Sequence, residues 1–173
     1  MYMSRGFTLC LIFSFILLVG ILNVSANQAY VYGSVEEANQ IRELIETERQ
    51  KVSAQSIFLN NLLISFPMIV PAVGLVPFLV AWHNTGWIIG LLSLAYGVPP
   101  STYISNLIVP AFPELLSYAV LCSENIYVTV LALFKAGAKQ RITQHSWKSF
   151  IFYILLLFIG AVSEAHMIAS AVR

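Results

Sequence analysis

Long apolar runs alternate with short polar segments along this chain. Apolar runs occupy residues 7–22, 57–82, 87–98 with 103–109, 115–134 and 150–171. A helix needs about 20 apolar residues to cross the hydrocarbon core of a bilayer. The pattern therefore predicts an all-α protein, a polytopic transmembrane helix bundle of about five spans, with broken helices and one amphipathic helix outside the membrane.

The amphipathic helix is predicted in the strongly polar segment 34–51. Ser34 and Glu37 have the spacing of a capping box, which starts a helix. A narrow apolar stripe follows at helical spacing, formed by Ala38, Ile41, Leu44 and Ile45. The stripe leaves two interpretations open: a solvated linker helix, or a helix that lies on the membrane surface or against a partner.

Prolines and tryptophans predict where the apolar runs are interrupted. Run 57–82 contains Pro67, Pro71 and Pro77, and Pro99-Pro100 separates 87–98 from 103–109. Proline breaks or kinks a helix, and in a membrane the freed carbonyl groups need partners inside the protein. We therefore expect irregular, protein-facing spans here, with a short turn at residues 83–86, which two interfacial tryptophans flank.

The distribution of basic residues predicts the topology. Residues 135–148 carry four basic side chains and no acidic one, and Arg5 precedes the first apolar run. Short basic loops remain in the cytoplasm. With five crossings, this predicts a multi-pass protein of the cell membrane whose amino terminus is cytoplasmic and whose carboxyl terminus is outside.

Three parts are predicted along the chain. Residues 1–26 form a first transmembrane helix or a signal segment, 27–56 an extracytoplasmic amphipathic helix, and 57–173 a four-span helical membrane domain. Residues 24–26 are small enough for a signal peptidase. We expect a retained helix, because the run is long for a signal core and the later spans need a partner.

Composition excludes a soluble protein. The 173 residues are 58% hydrophobic and 10% charged, against about 45–50% and about 25% in soluble domains. Too little polar surface exists to cover such a chain. No broad basic face with interleaved aromatic residues is present, so nucleic acid is not an expected partner. The expected partners are membrane lipid and other membrane proteins or a second copy of the chain.

The sequence offers no catalytic constellation. It contains no Asp, its three His lie far apart without ligand spacing, and it has no glycine-rich phosphate loop. Cys10 and Cys122 lie in apolar runs, where packing is their expected role. We therefore expect no enzymatic activity, no cofactor and no metal site.

Polar side chains within the apolar runs are the candidates for a site inside the bundle. These are Glu114, Glu164, Asn60, Asn61, Glu124 and His166. An ionisable group in a membrane usually faces protein or water, and it often marks a site for a proton, an ion or a partner group. A structural role is the alternative: Glu114 follows Pro113 and suits the first turn of a helix, and asparagine amides bridge helices.

Four segments resemble motifs of the stage II sporulation protein M (SpoIIM) family of integral membrane proteins. The resemblance lies in the Asn-Asn helix entry at 56–62, the glycine-containing segment 83–90, the element around Glu114 at 110–119 and the Ser-Glu-Ala segment at 160–165. It covers about residues 57–167. The family has His-Gly where this chain has Ala111-Phe112, so the resemblance assigns no histidine at this position.

The resemblance implies a five-crossing layout and a non-catalytic scaffold that organises partner proteins in the membrane. In spore-forming bacteria such proteins resemble a scaffold that recruits wall-cutting enzymes, and the family extends to archaea. Its helices also look distantly like permease halves of ABC-2 exporters. The alternatives are therefore a permease-like subunit paired with a separate ATPase, or an accessory subunit of a membrane enzyme complex.

Overall fold

The computed structural model describes residues 5–49 and 53–171, and all regular structure in that part of the chain is helical. Its helices are α1 (Arg5–Tyr32), α2 (Val35–Arg49), α3 (Ala54–Ser65), α4 (Leu75–Tyr96), α5 (Pro100–Leu133), α6 (Ala138–Arg141) and α7 (Trp147–Ala171). A 3-10 helix, Phe66–Ile69, extends α3, and a π-helical segment, Ile142–Ser146, joins α6 to α7. The predicted all-α class is confirmed.

Four of these stretches are long and apolar enough to cross a membrane: Arg5–Tyr32, Leu75–Tyr96, Pro100–Leu133 and Ala138–Ala169. A shorter apolar stretch, Ala54–Ile69, accompanies them. Large apolar side chains cover much of the outer surface; Leu9 and Ile16 of α1, for example, are 67% and 64% exposed. The regular structure of the described residues is therefore helical and includes four helices that could cross a membrane. The count of five crossings stays a prediction.

Small residues bring α1 and α4 into close parallel contact. A Cβ atom on Gly86 would lie 2.8 Å from the Leu22 carbonyl oxygen, and one on Gly90 would lie 2.2 Å from that of Ala26. Such a contact is the small-xxx-small packing that membrane helices use to approach each other. Ser25 is buried in it as well, so the small residues that a signal peptidase would accept have a packing role here.

The remaining contacts set the direction of each helix. Tyr127, near the end of α5, packs edge-to-face on Phe7, near the start of α1. We call the end that holds these two rings and residues 135–148 the basic end, and the opposite end, which holds α2, the α2 end. Helices α1, α4 and α7 run from the basic end to the α2 end, and α3 and α5 run back.

The predictions of one span over 57–82 and of a turn at 83–86 are wrong. The chain instead reverses at residues 70–74, so α3 with its 3-10 helix and α4 form a helical hairpin. Ala72 has a φ of 64°, and a Cβ on Gly74 would lie 2.3 Å from the Met68 carbonyl oxygen. Residues 83–86 remain helical, since their glycine serves the contact with α1.

The expectation that a helix starts at Glu114, after Pro113, is likewise wrong, because α5 runs through both Pro110 and Pro113. Glu114 therefore lies in mid-helix and not in a first turn. Packing against α1 and α7 on either side holds α5 helical across the prolines. The interruption predicted before residue 100 does occur: Gly97, at a φ of 66°, ends α4 and donates its N–H to the Leu94 carbonyl oxygen at 3.2 Å.

Helix α2 packs against the end of α4. Ala38 is fully buried there in a small apolar cluster. Glu37 accepts a hydrogen bond from the Trp87 indole at 3.4 Å, and Glu46 accepts one from the Tyr96 hydroxyl at 3.1 Å. Helix α2 therefore docks on its own chain, whereas contact with the membrane surface or with a partner stays a prediction.

Candidate functional site

A polar cluster joins α3, α5 and α7 towards the α2 end of the bundle. The Asn61 amide donates a hydrogen bond to Oε1 of Glu114 at 3.0 Å. The Tyr118 hydroxyl, one turn further along α5, donates to the backbone carbonyl oxygen of Asn61 at 3.3 Å. These two bonds tie α3 to α5 through a carboxylate that lies within a candidate membrane span.

The close approach of α7 completes this cluster. A Cβ atom on Gly160 would lie 2.9 Å from the Glu114 Cβ and 3.0 Å from its backbone nitrogen, so the two helices meet backbone to backbone. Glu164 follows one turn later on α7 and lies close enough to interact electrostatically with Glu114. The geometry thus brings two carboxyl groups into one region, with Asn61 as a hydrogen-bond donor.

A second polar cluster lies at the basic end. Arg141 makes a two-point contact with Glu124, from Nε to Oε1 at 2.9 Å and from Nη2 to Oε2 at 2.5 Å. Ser146 donates a further hydrogen bond to Oε1 at 2.6 Å, and Ser149 accepts one from Arg141 at 3.3 Å. A charge-assisted, bidentate pair of this kind is the strongest polar contact available to these side chains.

Aromatic rings enclose the Arg141 guanidinium. Its Cζ atom lies 4.7 Å from the centre of the Phe7 ring and 5.2 Å from that of Tyr127, and only 8% of the residue is exposed. Cation–π contacts of this kind favour a charge that has lost its water. The pair therefore attaches segment 135–148 to α5 and to the start of α1. Sequence reasoning counted Arg141 only as a loop charge, and missed that a partner for it lay 17 residues earlier.

Asn125 holds the hairpin turn in place, a role that the sequence analysis missed. Its amide nitrogen donates to the carbonyl oxygens of Met68 at 2.9 Å and Val70 at 2.6 Å, and its Oδ1 accepts from the Ala72 N–H at 3.1 Å. Thr129 accepts from the same N–H at 2.8 Å. The sequence did contain an indication of this role. Asn125 is an amide side chain inside an apolar run, and the proline-rich turn has backbone groups that need hydrogen-bond partners.

The structure divides the six polar residues predicted as one site. Glu114, Glu164 and Asn61 share the first cluster, whereas Glu124 belongs to the second. Ten residues separate Glu124 from Glu114 on α5, which is about 15 Å along a helix. Asn60 and His166 are exposed, so the structure does not place them among the buried groups of either cluster.

Within the described residues, no group of three or more His, Cys, Asp or Glu side chains is arranged to hold a metal ion. Cys10 and Cys122 are free thiols. The chemistry that the two clusters offer is hydrogen bonding and ion pairing between helices.

No protein-family model, curated protein or solved structure matches this chain. The resemblance to the SpoIIM family therefore stays a prediction. Three of the four motif segments behind it nevertheless converge in space, since Asn61, Glu114 and Gly160 with Glu164 form the first polar cluster. The fourth segment supplies Gly86 and Gly90 to the contact with α1.

Proposed function

We propose that the chain is a non-catalytic, SpoIIM-like membrane scaffold that holds partner proteins at its α2 end. The proposal rests on a difference between the polar groups inside the bundle and those on α2. Inside the bundle, Glu124, Asn125 and Asn61 bind other parts of the same chain. On the outward face of α2, polar groups point away from the bundle and are available to another molecule.

The outward face of α2 supports such a role. Ala38 marks its buried side, and exposed polar residues recur on the other side at helical spacing: Glu36, Gln40, Glu43 and Thr47. Two of these four residues are acidic and none is basic. A basic surface on a partner protein suits this face, because complementary charge guides association and fixes register.

The proposed orientation has five passages through the membrane. Helix α3 with its 3-10 extension contributes 12 and 4 residues, or about 26 Å of chain, close to the ~30 Å of a hydrocarbon core. The basic end then lies in the cytoplasm with the amino terminus, as short basic loops require. The α2 end and the carboxyl terminus lie outside.

A permease-like subunit paired with an ATPase is the second candidate. It is favoured by one observation: Glu164 lies one turn beyond Gly160, the residue at which α7 meets Glu114. Carboxyl groups inside membrane proteins often line a path for protons or ions. On this view Glu114 handles a transported species, whereas on the scaffold view it only joins helices.

Purification of the full chain in mild detergent, with identification of its companions, tests the scaffold. Reversing charge on the outward face, by Glu36→Lys with Glu43→Lys, is expected to remove the companions. The matched control, Gln40→Ala with Thr47→Ala, alters the same face without changing charge and is expected to keep them. A monomer without companions would overturn the scaffold, and a co-purifying ATPase would favour the permease-like subunit.

A further inference from the structure

A cavity of about 400 Å³ opens at the basic end, beside the second polar cluster, whose Glu124, Ser146 and Ser149 also line it. Ile69 of the 3-10 helix, Val120 and Val128 of α5, and Ile142 with Phe150 on the far side contribute apolar walls. Its volume falls within the range of about 300–1,000 Å³ that small-molecule sites occupy. The walls are almost entirely carbon, so the occupant must be apolar where it enters.

The rim of the cavity faces outwards. Ile69, Ile142 and Trp147 all line it, and they are 37%, 50% and 53% exposed. An apolar recess that opens on the surface of a membrane bundle meets acyl chains, because no other apolar molecule is as abundant there. Leaving such a recess empty forfeits the dispersion contacts of its walls.

One basic side chain lies at the same opening. The Lys148 ammonium lies 5.5 Å from the centre of the Trp147 ring, which lines the cavity. Lys135 and Lys139 are exposed in the same segment, which has no acidic residue. Glu124 contributes little negative charge at the rim, since Arg141 neutralises it. The charge at the rim is therefore basic, and it complements an anion.

We propose that this cavity is a binding site for an anionic phospholipid. One acyl chain fills the apolar recess, and the phosphate lies at Lys148. Basic recesses between membrane helices on the cytoplasmic side suit anionic headgroups. The site is independent of α2 and of the scaffold role, because it lies at the opposite end of the bundle.

The test uses the full chain in nanodiscs that contain equal amounts of phosphatidylglycerol and phosphatidylcholine, followed by native mass spectrometry of the lipid that stays bound. Wild type is expected to retain phosphatidylglycerol preferentially. Ile142→Trp fills the rim and is expected to lower this retention about tenfold or more. Ile151→Trp is the matched control, because Ile151 is 49% exposed on α7 but does not line the cavity.

A second pair of variants tests the headgroup. Lys148→Gln is expected to reduce the preference for phosphatidylglycerol about fivefold, the effect of one basic side chain near an anionic surface. Lys135→Gln removes the same charge elsewhere in the segment and is expected to change it less. Helical content measured by circular dichroism checks that every variant is folded.

Three outcomes would overturn the proposal. The first is equal retention of the two lipids by wild type. The second is undiminished retention by folded Ile142→Trp. The third is a protein partner that crosslinks to a photoreactive residue at position 142 and leaves no lipid bound, which would assign the cavity to a helix of that partner.

Discussion

The Asn61 amide lies 3.0 Å from the Glu114 carboxylate, although 53 residues separate them in the sequence. Glu114 of α5 is thereby bound within the bundle by α3, which precedes α5 by a whole helix in the sequence. The two candidate functions differ in what this carboxyl group does, and its amide replacement separates them.

Glu114→Gln is expected to leave folding and partner assembly nearly unchanged, because the glutamine carbonyl oxygen still accepts the Asn61 hydrogen bond. The free energy of unfolding should change by less than about 1 kcal/mol, the value of one such bond. Companion recovery and chemical unfolding in detergent measure both quantities. Loss of transport or of a phenotype, with assembly intact, would contradict the scaffold and support the permease-like subunit.

Gly160→Ala is expected to destabilise the bundle by about 1–3 kcal/mol, as overpacking does, because the added Cβ would meet Glu114 atoms at 2.9–3.2 Å. Gly20→Ala is the control. Nothing lies within 4 Å of a Cβ at that position, so this substitution should be neutral or stabilise by up to about 1 kcal/mol. Equal effects of the two in unfolding measurements would show that α5 and α7 do not meet at Gly160.

Arg141→Met is expected to cost about 3–5 kcal/mol, since it leaves Glu124 buried without its counter-charge. The double variant Glu124→Leu with Arg141→Met should recover most of that loss. Lys139→Met, an exposed change on the same short helix, should have little effect. Unfolding in detergent gives all three values, and a double variant no more stable than Arg141→Met would argue against the ion pair.

Asn125→Leu is expected to cost about 2–4 kcal/mol, because it removes the side-chain hydrogen bonds to the Met68 and Val70 carbonyl oxygens and leaves the Ala72 N–H with Thr129 alone. The loss of stability should begin at the turn itself. Amide hydrogen exchange at residues 66–74 should therefore rise before exchange in α5 does. Asn106→Leu, at an exposed position on the same helix, is the control. Unchanged exchange at the turn would mean that Asn125 does not hold it.

The helical class followed from the sequence because apolar runs of membrane length have few alternatives. The position of each turn did not follow from the sequence, because some prolines of this chain lie in a turn and others lie within a continuous helix. Pro71 lies in a turn whose backbone groups Asn125 can bind, whereas Pro110 and Pro113 lie where α5 is flanked by other helices. The difference depends on distant neighbours, and a local pattern does not contain them.

The sequence identified the residues of the first polar cluster better than it predicted how they are arranged in space. Asn61, Glu114 and Glu164 stood out as polar groups in apolar runs, but no spacing rule joins residues from three helices. Arg141 was counted only as one charge of a basic loop, because its burial depends on Glu124 and two aromatic rings that lie elsewhere in the chain.

The parallel contact of α1 with α4 has a consequence for biosynthesis. Helices that point the same way cannot enter the bilayer together as a hairpin, so α1 is inserted before its main neighbour exists. Ser25 and His83, which are hydrogen-bonded across this contact, are 58 residues apart. Until the ribosome has made α4, the small-residue face of α1 must be covered by lipid or by the insertion machinery. The two helices can pack against each other only after that cover has left the face.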